Sequence, residues 1–213
     1  MDSGAEPVAA QVSTGIVALS MWPAGRKRLS ILQLFRRWRS NEAAKQLHRI
    51  IVAQARQPAF YTALGVPDTL DGRFELIALH GFLVMHRLKA DQAGIDLARD
   101  VAEIIFDDLD ASLREMGAGD LGVGKRIKKM GEAFYGRIAA YDAGLAPGGD
   151  LEDALRRNLY GTAQATAETL AAAGAYVRNS VNILKHCDFS ELLMGHLKFP
   201  PVPEGDLSQS ARH

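Results

Sequence analysis

Apolar residues recur every three or four positions along most of this sequence, and no stretch alternates apolar with polar residues. The segment from Gln92 to Met116 is the clearest case, because Ile95, Val101 and Ile105 share one face of a helix that Gly117 would end. A strand buried on one face needs a period of two, which this sequence lacks. We therefore predict an all-α fold, a single-domain helical bundle of about six to eight helices.

The length and composition fit one helical domain with two looser ends. A chain of 213 residues is long enough to bury one core. We expect a flexible N-terminal arm over residues 1–25, a helical domain over 26–198 and a disordered tail over 199–213, which is proline-rich and then polar. The formal net charge is zero, so any attraction to nucleic acid or acidic lipid must be local. The only cysteine, Cys187, excludes an intrachain disulfide and a cysteine-based zinc site.

The segment after Gly25 is basic, and its apolar residues have helical spacing. A second helix is expected to start beyond it, at a cap formed by Ser40 or Asn41. Two interpretations of the basic helix stay open: its apolar stripe packs on the domain while the arginines are solvated, or it contacts a membrane surface or the ribosome. The residues that would make a membrane contact are Arg28, Phe35, Arg36, Arg37 and Trp38.

The stretch from Phe106 to Leu145 joins an acidic helix end, a glycine-rich break and a basic, then aromatic, helix that is predicted to begin at Gly124. Residues 119–125 match the pattern G-x-x-x-x-G-K of a phosphate loop. However, Arg126 stands where such a loop has Ser or Thr, and no predicted strand precedes it. We interpret the glycines as a reversal of the chain between two antiparallel helices.

Charged residues on both sides of this break are candidates for function. Asp107, Asp110 and Arg114 share one helical face, which is either a solvated acidic face braced by Arg114 or a partner-binding surface. The Glu-x-x-His pairs of di-iron bundles do not occur in the sequence. Lys125 belongs to a basic turn that lacks the interleaved aromatic residues of an RNA-stacking platform, so we expect no specific nucleic acid partner. His80 is interpreted as a core histidine in preference to a catalytic one.

Four blocks of the sequence resemble the ubiquinol–cytochrome c chaperone family. They are HGFLVMHRL from His80, IFDDLDASLREMGAGDLGVGKRIKKM from Ile105, AFYGRIAAYD from Ala133 and ALRRNLY from Ala154. The resemblance covers residues 61–160, and the order and spacing of the blocks make it specific. One departure from the family pattern is Ala118, which stands where a valine is expected.

The resemblance implies an α-helical, non-enzymatic assembly factor for respiratory complex III that binds newly made or partly assembled cytochrome b. Mitochondrial members of the family work with a small helical partner protein near the ribosome exit. A bacterial chain of this kind is expected in the cytoplasm, peripheral to the inner membrane, and a eukaryotic one in the mitochondrial matrix. Carried over by motif, the expected partner contacts, several of which could instead be internal hydrogen-bonding residues, are His80, Arg87, Asp107, Asp110, Arg114, Lys125, Arg137, Tyr141 and Asn158.

A second hypothesis comes from a different class of protein: a peripheral lipid- or quinone-binding helical module that uses the arginine-rich helix and an apolar groove. An enzyme is the least favoured class, because the sequence shows no convergent set of titratable groups. We expect no catalytic residues, no metal and no cofactor.

Overall fold

The protein is all-helical over the residues that its computed structural model describes, which are 31–115, 120–161 and 163–203, with side chains described from residue 41 and again from residue 128. This confirms the predicted fold class, and the number of helices falls within the predicted range. The described residues form eight helices, which are α1 (Ile31–Ala55), α2 (Ala59–Thr62), α3 (Leu70–Leu88), α4 (Gln92–Glu115), α5 (Asp120–Leu145), α6 (Leu151–Arg157), α7 (Ala167–His186) and α8 (Phe189–Leu193).

Helix α3 is the centre of the bundle, because it packs against α1, α4, α5 and α7. It begins at a cap in which the Thr69 hydroxyl accepts a hydrogen bond from the Gly72 amide. The turn before it contains Gly65, whose φ of 62° is in the region that favours glycine. Most of α3 is apolar and buried, and the two buried polar side chains on it, Glu75 and His80, therefore need partners inside the bundle.

Helix α1 is one continuous helix, so the predicted start of a second helix at Ser40 or Asn41 is wrong. A capping residue acts as one only where the chain before it leaves the helix. No glycine or proline lies between Ile31 and Ala55, and both predicted caps are ordinary interior positions of α1. Over the described side chains, the helix buries a small apolar face that consists of Ala43, Ala44, Leu47, Ile51 and Ala55.

Helix α5 begins at Asp120, four residues before the predicted start at Gly124. Each glycine inside a helix costs only about 1 kcal/mol relative to alanine, so Gly122 and Gly124 weaken the first turns without preventing them. Asp120 is the first residue of α5, and acidic residues are favourable in the first turn of a helix. Residues 120–125 are helical, which excludes the extended phosphate-loop geometry for this segment.

On α4, Ile95 is exposed although the periodicity predicts that it faces inward.

The chain continues to pack on the bundle beyond residue 198, where the predicted helical domain ends. The ring of Phe199 lies 5.0 Å from the ring of His80, and Val202 is buried. The packed part of the chain therefore extends at least to Val202, and residues 204–213 of the predicted tail are outside the described part. Among the helices of the described part, none is both long and apolar enough to cross a bilayer.

Candidate partner-binding residues

His80 is completely buried at the centre of α3 and hydrogen-bonds at both ring nitrogens. Its Nδ1 lies 2.7 Å from the carbonyl oxygen of Leu76, which can only accept, so Nδ1 carries the proton. Its Nε2, 2.9 Å from the hydroxyl of Tyr176, then accepts a hydrogen bond from Tyr176. Burial lowers the pKa of His80 to about 4, so the ring is neutral at pH 7. This geometry fits the predicted role of a core histidine. The His80 side chain is not accessible to a partner protein.

The His80 network joins distant parts of the chain. The Tyr176 hydroxyl accepts a hydrogen bond from Gln54 Nε2 at 3.0 Å, and the same nitrogen donates to the carbonyl oxygen of Pro200 at 3.1 Å. Phe60 closes the cluster, with its ring edge-on to those of His80 and Tyr176. Helices α1, α3, α7 and the segment after α8 therefore meet at one set of polar contacts within an apolar core.

Arg87 caps the end of a neighbouring helix. Its guanidinium donates to the carbonyl oxygens of Leu184 and Cys187 at 2.9 and 3.2 Å, where α7 ends. The same group lies 4.7 Å from the centre of the Phe189 ring, which places a cation over an aromatic face. Carbonyls at a helix C-terminus lack partners within the helix, so a cation there both satisfies them and offsets the helix dipole. Arg87 thus holds α3 to α7 and α8.

Arg137 and Tyr141 lie on the face of α5 that packs against α3. The Arg137 guanidinium forms a two-pronged ion pair with the carboxylate of Glu75 and donates to the carbonyl oxygen of Ala133 at 3.0 Å. Burial raises the pKa of Glu75, and the hydrogen bonds and charge of Arg137 oppose that rise. Tyr141 is fully buried, and its hydroxyl has no hydrogen-bond partner among the described residues. Burial raises the pKa of this phenol, which therefore remains neutral.

Asn158 lies at the end of α6, and its hydrogen bonds are also made within the protein. Its side-chain amide donates to the carbonyl oxygen of Ala154 at 2.9 Å, and its backbone amide binds the same carbonyl. Two residues on, the hydroxyl of Tyr160 donates to the carbonyl oxygen of Leu64 at 2.7 Å. The end of α6 is therefore fixed by local hydrogen bonds, and one contact reaches the loop before α3.

The acidic face of α4 is different, because its residues point outwards. We use this name for Asp107 and Asp110 with Arg114, of which Asp107 and Arg114 are exposed and Asp110 is half-buried. Arg114 Nε lies 2.6 Å from Asp110 Oδ2, as expected for residues four apart on a helix. Asp108 lies 3.7 Å from His48 on α1. Asp107 forms no ion pair with any described residue.

Six predicted residues are described incompletely or not at all. Lys125 lies within α5, but its side chain is outside the described part. The same holds for Phe35, Arg36, Arg37 and Trp38 within α1, and Arg28 precedes the described residues. Their proposed partner and membrane contacts therefore remain predictions.

The sequence analysis identified neither Glu75 and Tyr176, which bind the predicted residues Arg137 and His80, nor Gln54 and Asp142, which make further contacts between helices. Asp142 Oδ1 receives contacts from His86 Nδ1 at 2.7 Å and Lys89 Nζ at 2.6 Å, which join α5 to the end of α3. The pairs are between 53 and 122 residues apart, so no local pattern could have joined them. Glu75 alone gave a signal, as a carboxylate on an otherwise apolar helical face.

The buried polar side chains of the described residues join helices to one another, as His80 does with Tyr176 and Arg137 with Glu75. Within the described residues, no three His, Cys, Asp or Glu side chains are grouped closely enough to hold a metal ion. The described part of the chain is therefore an all-helical protein whose helices are joined by buried polar contacts and whose exposed faces carry charges.

A sequence model described as Ubiquinol-cytochrome C chaperone matches residues 62–199. The chain therefore belongs to the ubiquinol–cytochrome c chaperone family. The match continues past residue 160, where the resemblance recognised in the sequence ended, and so takes in α7 and α8.

Solved and curated relatives agree with this assignment. The crystal structure of the Cbp3 homolog from Brucella abortus is similar, with a TM-score of 0.71 and 39% identity over 83% of this chain and all of that chain. Ubiquinol-cytochrome-c reductase complex assembly factor 1 of Xenopus laevis is 27% identical over 81% of this chain and 88% of its own length. The human protein of the same name is 24% identical over 80% of this chain, and the match spans 58% of its length.

Proposed function

We propose that this chain is an assembly chaperone for the ubiquinol–cytochrome c reductase complex and that its client is newly made or partly assembled cytochrome b. The observation that carries the proposal is the family match over residues 62–199, to which relatives named as assembly factors of that complex add support. The names of the relatives refer to the complex as a whole. The assignment of cytochrome b as the client therefore goes beyond those names. A chaperone of this kind binds and releases, and requires no catalytic group.

The structure favours the acidic face of α4 as a contact surface over the buried residues. Asp107 is exposed and forms no ion pair with any described residue, so its charge is available to a partner without unfolding. His80, Arg87, Arg137, Tyr141 and Asn158 instead support the surface by fixing the helices behind it. Surface charges of this kind guide encounter and orientation more than they raise affinity.

The proposed place of action is the cytoplasmic face of the inner membrane in a bacterium, or the matrix in a mitochondrion. The client is a membrane protein, so the chaperone must meet it where it is made or inserted. A small helical partner protein or the ribosome would be a second contact, as the family resemblance implies. The basic segment around Arg28 and Arg36 is the candidate for this contact or for the lipid surface.

Deleting the gene in its native host tests the proposed function. Membranes of the deletion strain are expected to lose most of their cytochrome b, measured by reduced-minus-oxidised spectra and immunoblot. Succinate dehydrogenase in the same membranes is the control and should be unchanged. Normal cytochrome b in the deletion strain would contradict the proposal.

The contact surface is tested by crosslinked co-purification of the tagged, full-length chain from native membranes. The variant Asp107→Lys reverses an exposed charge that has no ion pair in the described part of the chain, so the fold should be unaffected. The matched control is Glu132→Lys, which makes the same change on an exposed position of α5. Selective loss of cytochrome b with Asp107→Lys supports the acidic face, whereas equal recovery with both variants excludes it and leaves the function standing.

One feature favours the alternative of a lipid- or quinone-binding module. The basic residues Arg36, Arg37 and Arg39 lie on the same continuous helix as the buried Ala43 and Leu47, so the bundle holds the direction of this segment. A fixed basic helix is suited to an anionic surface. Recovery of lipid or quinone without cytochrome b in the co-purification would favour this module over the chaperone.

A further inference from the structure

A shallow groove of about 270 Å³ lies between the C-terminal ends of α3 and α7. Its apolar floor is formed by Leu83 and Leu184, each only 1% exposed, together with the half-buried Val181. Arg87 and Lys185 are among the residues that line its sides. The groove thus combines a recessed apolar surface with cationic walls.

The cations around this groove outnumber the carboxylates. Arg87 donates its hydrogen bonds to two backbone carbonyl oxygens, which are neutral. Among the described residues, no carboxylate forms an ion pair with its guanidinium. Lys185 is exposed and forms no ion pair with any described residue. Lys89 and His86 share a single carboxylate, that of Asp142. Burial lowers the pKa of His86, so the imidazole adds no positive charge at pH 7.

The two carboxylates that adjoin these helix ends in sequence are used elsewhere. Asp91 accepts a hydrogen bond from the Ala93 amide at the start of α4, and Asp188 accepts one from the Ser190 amide at the start of α8. They cap those helices and do not pair with Lys185 or Arg87. The residues that line the groove include Arg87 and Lys185 and no carboxylate, so the lining itself carries a net positive charge.

The shape of the groove favours a protein segment over a small molecule or a bilayer. Its volume is below the range of about 300–1,000 Å³ that is typical of small-molecule pockets, and is suited to one or two side chains. Its apolar residues are recessed, so they cannot insert into a membrane. The exposed large apolar residues of the described part, Leu70, Ile95 and Met194, lie outside the groove.

We propose that this groove binds a segment of a partner protein that presents a protruding apolar side chain next to a carboxylate. The apolar side chain would contact Leu83, Val181 and Leu184, while the carboxylate would pair with Lys185 and with the Arg87 guanidinium at Nη1, which makes no hydrogen bond to the described residues. An amphipathic helix with apolar and acidic residues three or four apart meets both conditions. The inference rests on the proposed function, because an assembly chaperone requires a protein partner.

The test uses the full-length protein and three designed helical peptides. The first carries Leu and Glu four residues apart, the second has Lys in place of Glu, and the third has Ala in place of Leu. We expect the first peptide to shift the backbone amide resonances of residues 83–90 and 181–185, with a dissociation constant of about 100 μM or tighter. The other two should bind at least about fivefold more weakly, because each lacks one half of the recognition.

Two surface variants locate the binding. Lys185→Glu should weaken the binding of the acidic peptide by about fivefold or more and should leave the fold intact, because the side chain has no described partner. Lys129→Glu makes the same change at an exposed position of α5 and should leave the affinity unchanged. Absence of resonance shifts with the acidic peptide, or equal weakening by both variants, would overturn the proposal. Binding to phosphatidylglycerol vesicles that depends on Lys185, without peptide binding, would also overturn it and assign the groove to lipid.

The outcomes separate this inference from the proposed function. If the deletion strain loses cytochrome b and the Lys185→Glu chain restores it fully, the groove proposal fails and the function stands. If cytochrome b is normal in the deletion strain while the acidic peptide binds in a Lys185-dependent manner, the groove proposal is supported and the proposed client is wrong.

Discussion

At the scale of single residues, burial decides which candidate side chains can meet a partner. His80 and Tyr141 belong to the motif blocks that carry the family resemblance, and both are fully buried. His80 is hydrogen-bonded at both nitrogens, whereas the Tyr141 hydroxyl has no partner among the described residues. The motif therefore contains residues that maintain the bundle, and these two make different, testable contributions to its stability.

The buried neutral His80 should make the protein less stable in acid. Its pKa is lowered from 6.5 to about 4, so between these values the unfolded chain binds a proton that the folded chain does not. The free energy of unfolding should therefore fall as the pH drops from about 6.5 to 4, by about 3 kcal/mol from this residue. The check is urea unfolding at several pH values for the wild type and His80→Gln. The variant is less stable at pH 7, but its curve should be flatter over this range, and parallel curves would refute the assignment.

Two of the buried tyrosines, Tyr141 and Tyr160, should respond oppositely to loss of the hydroxyl. Tyr141→Phe removes an unpaired buried hydroxyl and is expected to raise the free energy of unfolding by about 1 kcal/mol. Tyr160→Phe is the matched control, because it removes a hydrogen bond of 2.7 Å to the Leu64 carbonyl and should lower stability by about 1 kcal/mol. Urea titrations of both variants provide the comparison. Destabilisation by Tyr141→Phe would mean that its hydroxyl is bonded in solution.

At the scale of helices, the continuity of α1 is the clearest departure from the sequence-based prediction. Ser and Asn are typical of helix starts, but a start also requires that the chain before it is not helical. The preceding basic segment is itself a good helix former, so the two predicted helices join. By contrast, Asp150 does cap α6, and the loop before it, with Gly148 at a φ of 78°, is not helical.

This difference between Asn41 and Asp150 can be measured. Asn41→Ala replaces an exposed interior position with a better helix former and should raise the free energy of unfolding by about 0.5 kcal/mol. Asp150→Ala removes a cap whose carboxylate accepts from the Asp153 amide at 2.8 Å and should lower it by about 1 kcal/mol. Thermal unfolding monitored by circular dichroism is sufficient for both. A loss of about 1 kcal/mol with Asn41→Ala would restore the interpretation of a helix start there.

At the scale of the whole molecule, the fold class was predictable because helical periodicity is a local property of the sequence. The family was also recognisable, because its motif blocks retain their order. The internal contact partners were not predictable from the sequence, since contacts such as Glu75 with Arg137 and His80 with Tyr176 depend on how the helices pack. The role of the acidic face of α4 remains a prediction, because exposure alone does not identify a partner.

The segment after α8 should contribute measurably to global stability. Truncation after Lys198 removes the Phe199 ring beside His80, the Pro200 carbonyl that binds Gln54, and the buried Val202. We expect this truncation to lower the free energy of unfolding by about 2–4 kcal/mol. Truncation after Pro203 retains every one of these contacts and is the control. Equal stability of the two truncated chains would contradict the proposed packing role.

The contacts of Gln54 with Tyr176 and Pro200 also determine when the core can form during synthesis on the ribosome. Gln54 is made early, but its partners lie 122 and 146 residues further along the chain. At about 5–20 residues per second, Gln54 waits roughly 6–24 seconds before Tyr176 is even synthesised. During that interval the apolar face of α1 has no completed core to enter. A protein proposed to bind an incompletely assembled client thus exposes apolar surface during its own synthesis, and we expect general chaperones to bind it until its last helices are made.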